Sequence, residues 1–378
     1  MKIALIITEL QLGGAQRIVI ELAGRLAQSD WEVCVITNER GLLLHDLQGI
    51  RGVEVITVAA LRREITPFKD LLALVRITSL LNNFKPDIVH THTPKAGLIG
   101  RVAARLLRIP CIHTVHGIGC DVSAMSLVEK VYLACERLAA KLSAVQVMVS
   151  EGLRRTCVEH GLAPDGKVRV IFGGFDARQF AKLPTRSQAR AALGLPVEGV
   201  VIGTVSCMKP GKRVGDFVEV CKQVRSVIPD TMAVVVGDGE LRQDIQREID
   251  REGLEEGIRL LGWRRDVPAI MAAMDVFVLM SAHEGFPLTV LEAMAAGVPV
   301  VSTRVDGCIE IIEETRAGVL IERGDIEGGA AAVVRLLNDR GRLEQMGRRA
   351  RKGVARWNFN AMCERYKEVY WEVCDADG

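Results

Sequence analysis

No stretch of this chain approaches the roughly 20 consecutive apolar residues that a membrane-crossing helix needs, and the opening MKIALIITEL has too short an apolar run for a signal peptide. These absences predict a soluble or peripheral protein. The sequence also lacks any CxxC pair or His-Cys metal spacing, its ten cysteines being scattered singly. Most, such as Cys34 in VCVIT and Cys221 in a helical pattern, read as small buried hydrophobes, which points to a reducing cytoplasm. A GxGxxG turn is missing too: the first strand-helix junction reads LQLGGAQR, which disfavours a dinucleotide-dependent oxidoreductase. Neither sign of charge dominates, with 49 Lys and Arg against 47 Asp and Glu. Residues 1–183 hold 23 basic and 17 acidic side chains. That asymmetry is too mild for nucleic acid; it suits either a first half that meets something anionic or a solvated basic face.

What is present is an alternation of apolar, β-rich runs with amphipathic helical stretches. Runs at 3–7, 32–37, 53–58, 88–90, 111–116, 144–149 and 168–172 form one series, and runs at 200–205, 233–236, 258–261, 276–280, 298–302 and 318–321 a second. Helices are expected between them, among others at 15–27 and 69–82. The pattern predicts an α/β protein of two Rossmann-like, doubly wound domains facing across a cleft. The polar, Pro-containing segment 182–198 reads as the linker, giving domains 1–183 and 184–356. Residues 357–378 are a final amphipathic helix whose aromatic face, with Trp357, Phe359, Tyr366, Tyr370 and Trp371, must be buried, and it is expected to cross back to the first domain.

Chemistry concentrates in SAHEGFPLTVLEAMAAGVP, residues 281–299. Glu284 and Glu292 flank a turn in which Gly285 permits unusual backbone angles and Pro287 suits a first helical position, with a short helix at 288–296 closed by Gly297. Such a helix start offers N–H donors and the positive end of a dipole to an anion, phosphate above all. Glu292, about one turn inside, is placed to accept from a vicinal diol such as ribose, and Glu284 from a second polyol. Plain capping would use the same residues. The flanking apolar runs, however, set the segment at the carboxyl end of a buried parallel strand, where open sheets bind ligands. Sugar, phosphate and ribose together describe a nucleotide-sugar.

Three further places carry weaker signals. Gly13 and Gly14, at the first strand-helix turn, allow close approach of a phosphate or sugar, and a tight turn would need them equally. His90 and His92 alternate on a strand end where both could face the cleft; with no carboxylate or Cys completing a ligand set, structural histidines are the commoner reading. His116, followed by Gly117, is the better-placed histidine. In CMKPGKRVGDF, residues 207–217, Lys209 and Lys212 suit a diphosphate, or a solvated Pro-Gly turn.

Together these features resemble a retaining glycosyltransferase of the GT-B fold, glycosyltransferase family 4, of the bacterial exopolysaccharide or capsule type. The resemblance rests on Glu284, seven residues, Glu292 and the following AMAAGVPVVS, with GGAQ at 13–16, PDIVHTHTPKAGLIGR at 86–101 and VHG at 115–117. It implies an acceptor-binding first domain and a donor-binding second one. It implies that Lys212, Glu284 and His116 act at the reacting sugar and diphosphate. Gly13, Gly14, Lys209, Gly285, Phe286, Leu288, Thr289 and Glu292 would contact the donor, with Trp263, Arg264 and Val267 on the base side. The family pattern of Arg, four residues, Lys places its Lys on Lys212 and finds Cys207 at the Arg position, Lys209 being a partial replacement without the arginine fork. Asp306 and Gly307 receive no role.

The nucleoside-diphosphate sugar is then a substrate, with no cofactor or metal expected, and the acceptor a saccharide or lipid-linked saccharide. A helix at 126–142 bearing Lys130, Arg137 and Lys141 is ordinary surface or a peripheral contact with the anionic inner face of the cytoplasmic membrane. A sugar-nucleotide 2-epimerase of the same fold is the competing reading.

Overall fold

The computed structural model describes residues 1–118 and 127–375. The chain divides into two units, Met1–Gly174 with Phe359–Gly378, and Phe175–Asn358.

In the first unit seven strands form one sheet: β1 (Lys2–Ile6), β2 (Glu32–Thr37), β3 (Val53–Thr57), β4 (Ile88–His92), β5 (Cys111–Val115), β6 (Val145–Met148) and β7 (Val168–Val170). Their order is β3-β2-β1-β4-β5-β6-β7, and every pairing is parallel. Parallel strands are covered on both faces, so they read as unbroken apolar runs; Ile3, Ala4, Leu5 and Ile6 of β1 are all fully buried. One face packs Ile6, Ile36 and Val89 against Ala73, Ile77 and Ala103 from the helices Pro67–Phe84 and Pro94–Leu107.

The helix Phe359–Asp375 belongs to this unit. Its Tyr370 hydroxyl lies 2.7 Å from His90 Nδ1, His90 Nε2 lies 2.8 Å from the Thr114 hydroxyl, and that hydroxyl is 3.1 Å from Tyr366. Both tyrosines are fully buried. The terminal aromatic face is thus satisfied within the first unit, while Trp357 falls in the second and Trp371 stays half exposed. His90 and His92 do not open to solvent; each is a buried part of β4.

The second unit repeats the plan with β8 (Val200–Val205), β9 (Thr231–Val236), β10 (Ile258–Gly262), β11 (Val276–Leu279), β12 (Val300–Thr303) and β13 (Gly318–Ile321). The order is β10-β9-β8-β11-β12-β13, again all parallel. Val235, Val278 and Val301 pack there against Phe217, Val224 and Val333.

Segment 182–198 is not a free linker. It contains the helix Arg186–Ala192, capped by Thr185 and Gln188 in a capping box. The buried Arg190 donates to the carbonyls of Ala273, Val197 and Gly199 and to Asp275 at 2.6 Å. Polar composition concealed a guanidinium with a full set of buried acceptors. The first unit also ends before residue 183, because buried Phe175 donates its N–H to the Trp357 carbonyl at 3.1 Å inside the second unit.

In each sheet the strand order reverses once, between β1 and β4 and between β8 and β11. Connections leave those neighbouring strands in opposite directions, and the crevice at their carboxyl ends is where such sheets hold ligands.

Candidate active site

The loops after β8 and β11 meet at the reversal point of the second sheet. Ala282 N–H donates to the Gly211 carbonyl at 2.9 Å, which ties the two loops together. A third loop supports them: Met208 N–H donates to the Asp238 carbonyl and Leu241 N–H to the Met208 carbonyl. Gly237 in that loop has φ of +126°, and a Cβ there would collide with the Ser206 carbonyl, so only glycine allows this approach.

On that frame Lys212 Nζ donates to Glu284 Oε1 at 2.7 Å, and the Ser281 hydroxyl donates to the same oxygen at 2.7 Å. Ser281 is fully buried, and its carbonyl accepts from the Thr303 hydroxyl at 2.6 Å. The Lys212 side chain keeps 31% of its exposure and Glu284 10%. Burial works against the charged form of Lys212, but attraction and hydrogen bonding to Glu284 outweigh it and hold the ammonium's pKa above its ordinary value. Among the described residues no hydrogen bond reaches Glu284 Oε2, so the carboxylate is fixed through one oxygen and open through the other.

Glu284 leads into the helix Leu288–Ala295. Pro287 is its N-cap, with φ −75° and ψ +108°, rather than its first helical residue. The conformational freedom expected of Gly285 is unused, since it takes no positive φ. The crowded position is Gly307, where a Cβ would lie 2.5 Å from the Gly285 carbonyl and 2.6 Å from Phe286 Cα, so the turn rests flush on the helix Asp306–Thr315. Phe286 is buried, its ring 6.0 Å from that of Trp357. Leu288 has a buried side chain and Thr289 a half-buried one; the first two amides of a helix have no partner within it, while that of Val290 donates to the Pro287 carbonyl at 3.1 Å. Glu292, at 5% exposure, sits one turn in, and Gly297 follows the helix with φ +78°.

On the other side of β8, Trp263 follows β10 with an exposed ring, Arg264 grips Asp266 through two bonds of 2.8 and 2.6 Å, and Val267 begins the next helix with its side chain buried. Of these three only Trp263 presents an uncommitted side chain. Lys209, half buried, precedes the 3-10 turn Pro210–Lys212 that delivers Lys212. Lys212 and Glu284 are therefore in contact, and Glu292 lies one turn into the helix that follows Glu284, all within one unit.

Gly13, Gly14 and His116 belong to the first unit. Gly13 caps the helix Gly14–Ala27 with φ −174°, an extended angle open to any residue, and a Cβ there would meet only the flexible Gln16 side chain. His116 follows β5, its Nε2 3.0 Å from His92 Nδ1. With His113, Thr114, Tyr132, Glu136 and Gln146 it lines a cavity of about 110 Å³. Burial lowers the pKa of His116 to about 4 and of His90 to about 3, and holds His92 and His113 well below the ordinary value, so all four rings are neutral.

The sequence reading missed Ser281, whose only signal was its place three residues before Glu284. It also missed Thr93, a β-branched residue at φ +65° after β4. The Thr93 hydroxyl is 2.8 Å from that of Thr8, a contact across the reversal point that no local pattern announces.

Residues 13–174 match the family model Glycosyl transferase 4-like domain, and residues 199–339 match Glycosyl transferases group 1. The chain is 33% identical over 368 residues to the UDP-Gal:alpha-D-GlcNAc-diphosphoundecaprenol alpha-1,3-galactosyltransferase of Escherichia coli, covering 96% of this chain and 94% of that one. It is 30% identical over 335 residues to the capsular polysaccharide biosynthesis glycosyltransferase CapM of Staphylococcus aureus, covering 85% and 84%. Among solved structures, Anabaena HepE in complex with UDP and glucose has a TM-score of 0.83 at 23% identity, covering 98% of this chain and 100% of that one, a likeness of fold. Paired doubly wound units with these motifs define a glycosyltransferase of the GT-B fold. Within that class the chain belongs to glycosyltransferase family 4.

Proposed function

We propose that this enzyme transfers a hexosyl residue from a UDP-sugar to a saccharide carried on a lipid diphosphate, with retention at the anomeric carbon, in the assembly of a surface polysaccharide. The observation that carries this reading is the Lys212–Glu284–Ser281 cluster beside the start of the helix that bears buried Glu292. The two relatives above support the donor, the lipid-linked acceptor and the polysaccharide role.

In the proposed reaction the acceptor hydroxyl attacks the anomeric carbon on the face from which the diphosphate departs. The carbon–oxygen bond breaks with its electron pair passing to the diphosphate, and a phosphate oxygen takes the hydroxyl proton. Lys212 releases Glu284 and meets the growing phosphate charge together with the amides of Leu288 and Thr289. Glu284 Oε2 accepts from sugar hydroxyls, Glu292 from the ribose diol, and neutral His116 from or to a donor-sugar hydroxyl. Gly13 and Gly14 admit the phosphate and sugar, Lys209 adds positive charge, and Trp263, Arg264 and Val267 border the base. Cation and helix dipole neutralise the leaving group, so no metal is needed. A lipid-borne acceptor places the work at a membrane surface, and among the described residues no helix is long and apolar enough to cross one.

The test is incubation with a panel of UDP-hexoses and a prenyl-diphosphate-linked amino sugar, with product mass and anomeric configuration read by mass spectrometry and NMR. A single retained linkage formed in the presence of a chelator is expected. An inverted product, a strict need for a divalent ion, or conversion of the donor without acceptor, as an epimerase would perform, refutes the reading.

A further inference from the structure

The helix Pro67–Phe84 is apolar on two opposite sides. Ala73, Ile77 and Leu81, four residues apart, form its fully buried edge. At 100° per residue, Phe68, Leu71, Leu72 and Val75 fall on the opposite arc. All four are exposed, Phe68 at 83% and Val75 at 60%, and Ile65 just before the helix is exposed as well. A helix with apolar residues on two opposite sides needs a cover on both, and a contiguous apolar patch on a protein surface marks an interaction site.

Charge around the patch indicates what covers it. Lys69 and Arg76, seven residues apart, lie along one flank of the apolar arc, and Arg63 stands exposed ahead of the helix. Among the described residues none of the three forms an ion pair. Asp70, the acid in the first turn, is turned away from this arc and paired with Lys95 at 2.6 Å; Glu64 is exposed nearby. An arc of Phe, Leu and Val edged by solvated cations is the make-up of a helix lying in the plane of a lipid interface, its apolar side among acyl chains and its cations at anionic headgroups. A second copy of the chain fits less well. A two-fold contact would set this strip against itself and bring Lys69 and Arg76 of both copies together without acids.

We propose that the outer face of the helix Pro67–Phe84, through Phe68, Leu71, Leu72 and Val75 with Lys69 and Arg76, attaches this protein reversibly to an anionic bilayer. This contact is distinct from the one expected of the 126–142 segment. Residues 119–126 lie outside the described residues, and the helix there runs Leu127–Ala140 with exposed Lys130, Val131, Arg137 and Leu138. Attachment needs no turnover, so it stands or falls apart from the donor and acceptor proposed above.

Co-sedimentation with vesicles of phosphatidylcholine, with and without phosphatidylglycerol, decides it. The wild type should partition to the anionic vesicles and leave them as salt rises. Phe68→Ser with Leu72→Asp should lower partition about tenfold or more. Lys69→Glu with Arg76→Glu, which touches only solvated side chains and leaves the core edge intact, should lower it by a similar factor for anionic vesicles alone. Unchanged partition in both variants overturns the proposal. So does loss of binding in Lys130→Glu with Arg137→Glu alone, or a wild-type dimer that ignores vesicles and is split by the Phe68 and Leu72 changes.

Discussion

Lowering the pH from 7.5 to 5.5 should destabilise the first unit sharply, through four histidines held neutral in one region, three of them buried and His116 half-buried. His90, with a pKa near 3, and His116, near 4, share it with His92 and His113, both held well below the ordinary 6.5 by burial. Because the folded values lie below the unfolded one, the stability they contribute is complete above about pH 6.5 and is lost as pH falls, since the unfolded chain takes up protons that the folded chain refuses. At pH 5.5 an unfolded histidine with ordinary affinity gains about 1.4 kcal/mol, and four give roughly 5–6 kcal/mol. That is comparable with the whole stability of many domains, and pH 5.5 still lies above the range in which ordinary carboxylates titrate. Urea unfolding followed by tryptophan fluorescence in a Trp263→Phe, Trp357→Phe variant, which keeps Trp31, its ring 5.6 Å from Tyr370, and Trp371, reports on this unit. His90→Gln retains a donor and an acceptor for Tyr370 and Thr114 and should recover about 1.4 kcal/mol of the loss. A stability at pH 5.5 within about 1 kcal/mol of that at pH 7.5 would refute the reasoning, because histidines of that kind must be solvated or paired.

Three further outcomes are expected. Glu292→Gln should weaken UDP binding about tenfold or more in calorimetry, because a neutral amide accepts more weakly from a diol than a carboxylate does; unchanged affinity in the folded variant would remove the ribose assignment. Lys212→Ala should cut kcat by about 10²-fold or more with a smaller effect on unfolding, since its charge counts most when the leaving diphosphate forms; a larger loss in Lys209→Ala would shift the phosphate cation to that residue. Arg190→Met should cost about 3–5 kcal/mol in denaturant unfolding, because it strands the buried Asp275 carboxylate; its Oδ2 would keep only the Val201 N–H at 2.8 Å, with half-exposed Arg186 on Oδ1. A loss below about 1 kcal/mol would show that Arg186 or water already compensates that charge.

All thirteen strands among the described residues coincide with runs visible in the sequence, because parallel strands covered on both faces are written as continuous apolar segments. The helix bearing Glu292 was equally legible, since Gly, Pro and the apolar pattern around it act locally and need no distant partner. Boundaries that depend on distant partners were not. Helix Arg186–Ala192 looked like linker because Arg190 finds its acceptors at Ala273 and Asp275, more than 80 positions on. Gly285 was read as permitting unusual angles, yet the position without room for a side chain is Gly307, pressed against it from another helix.

Local propensity and periodicity thus determined by themselves the class of fold, the order of its strands along the chain and the segments that end at ligand-binding edges. Only tertiary structure joined Lys212 and Ser281 on one oxygen of Glu284, for the two strands that carry them become neighbours through a crossover that no local pattern encodes. It also decided which side of the helix Pro67–Phe84 is buried and which is left bare. Periodicity reports that a face is apolar, whereas the partner that covers that face lies elsewhere in the chain or outside it.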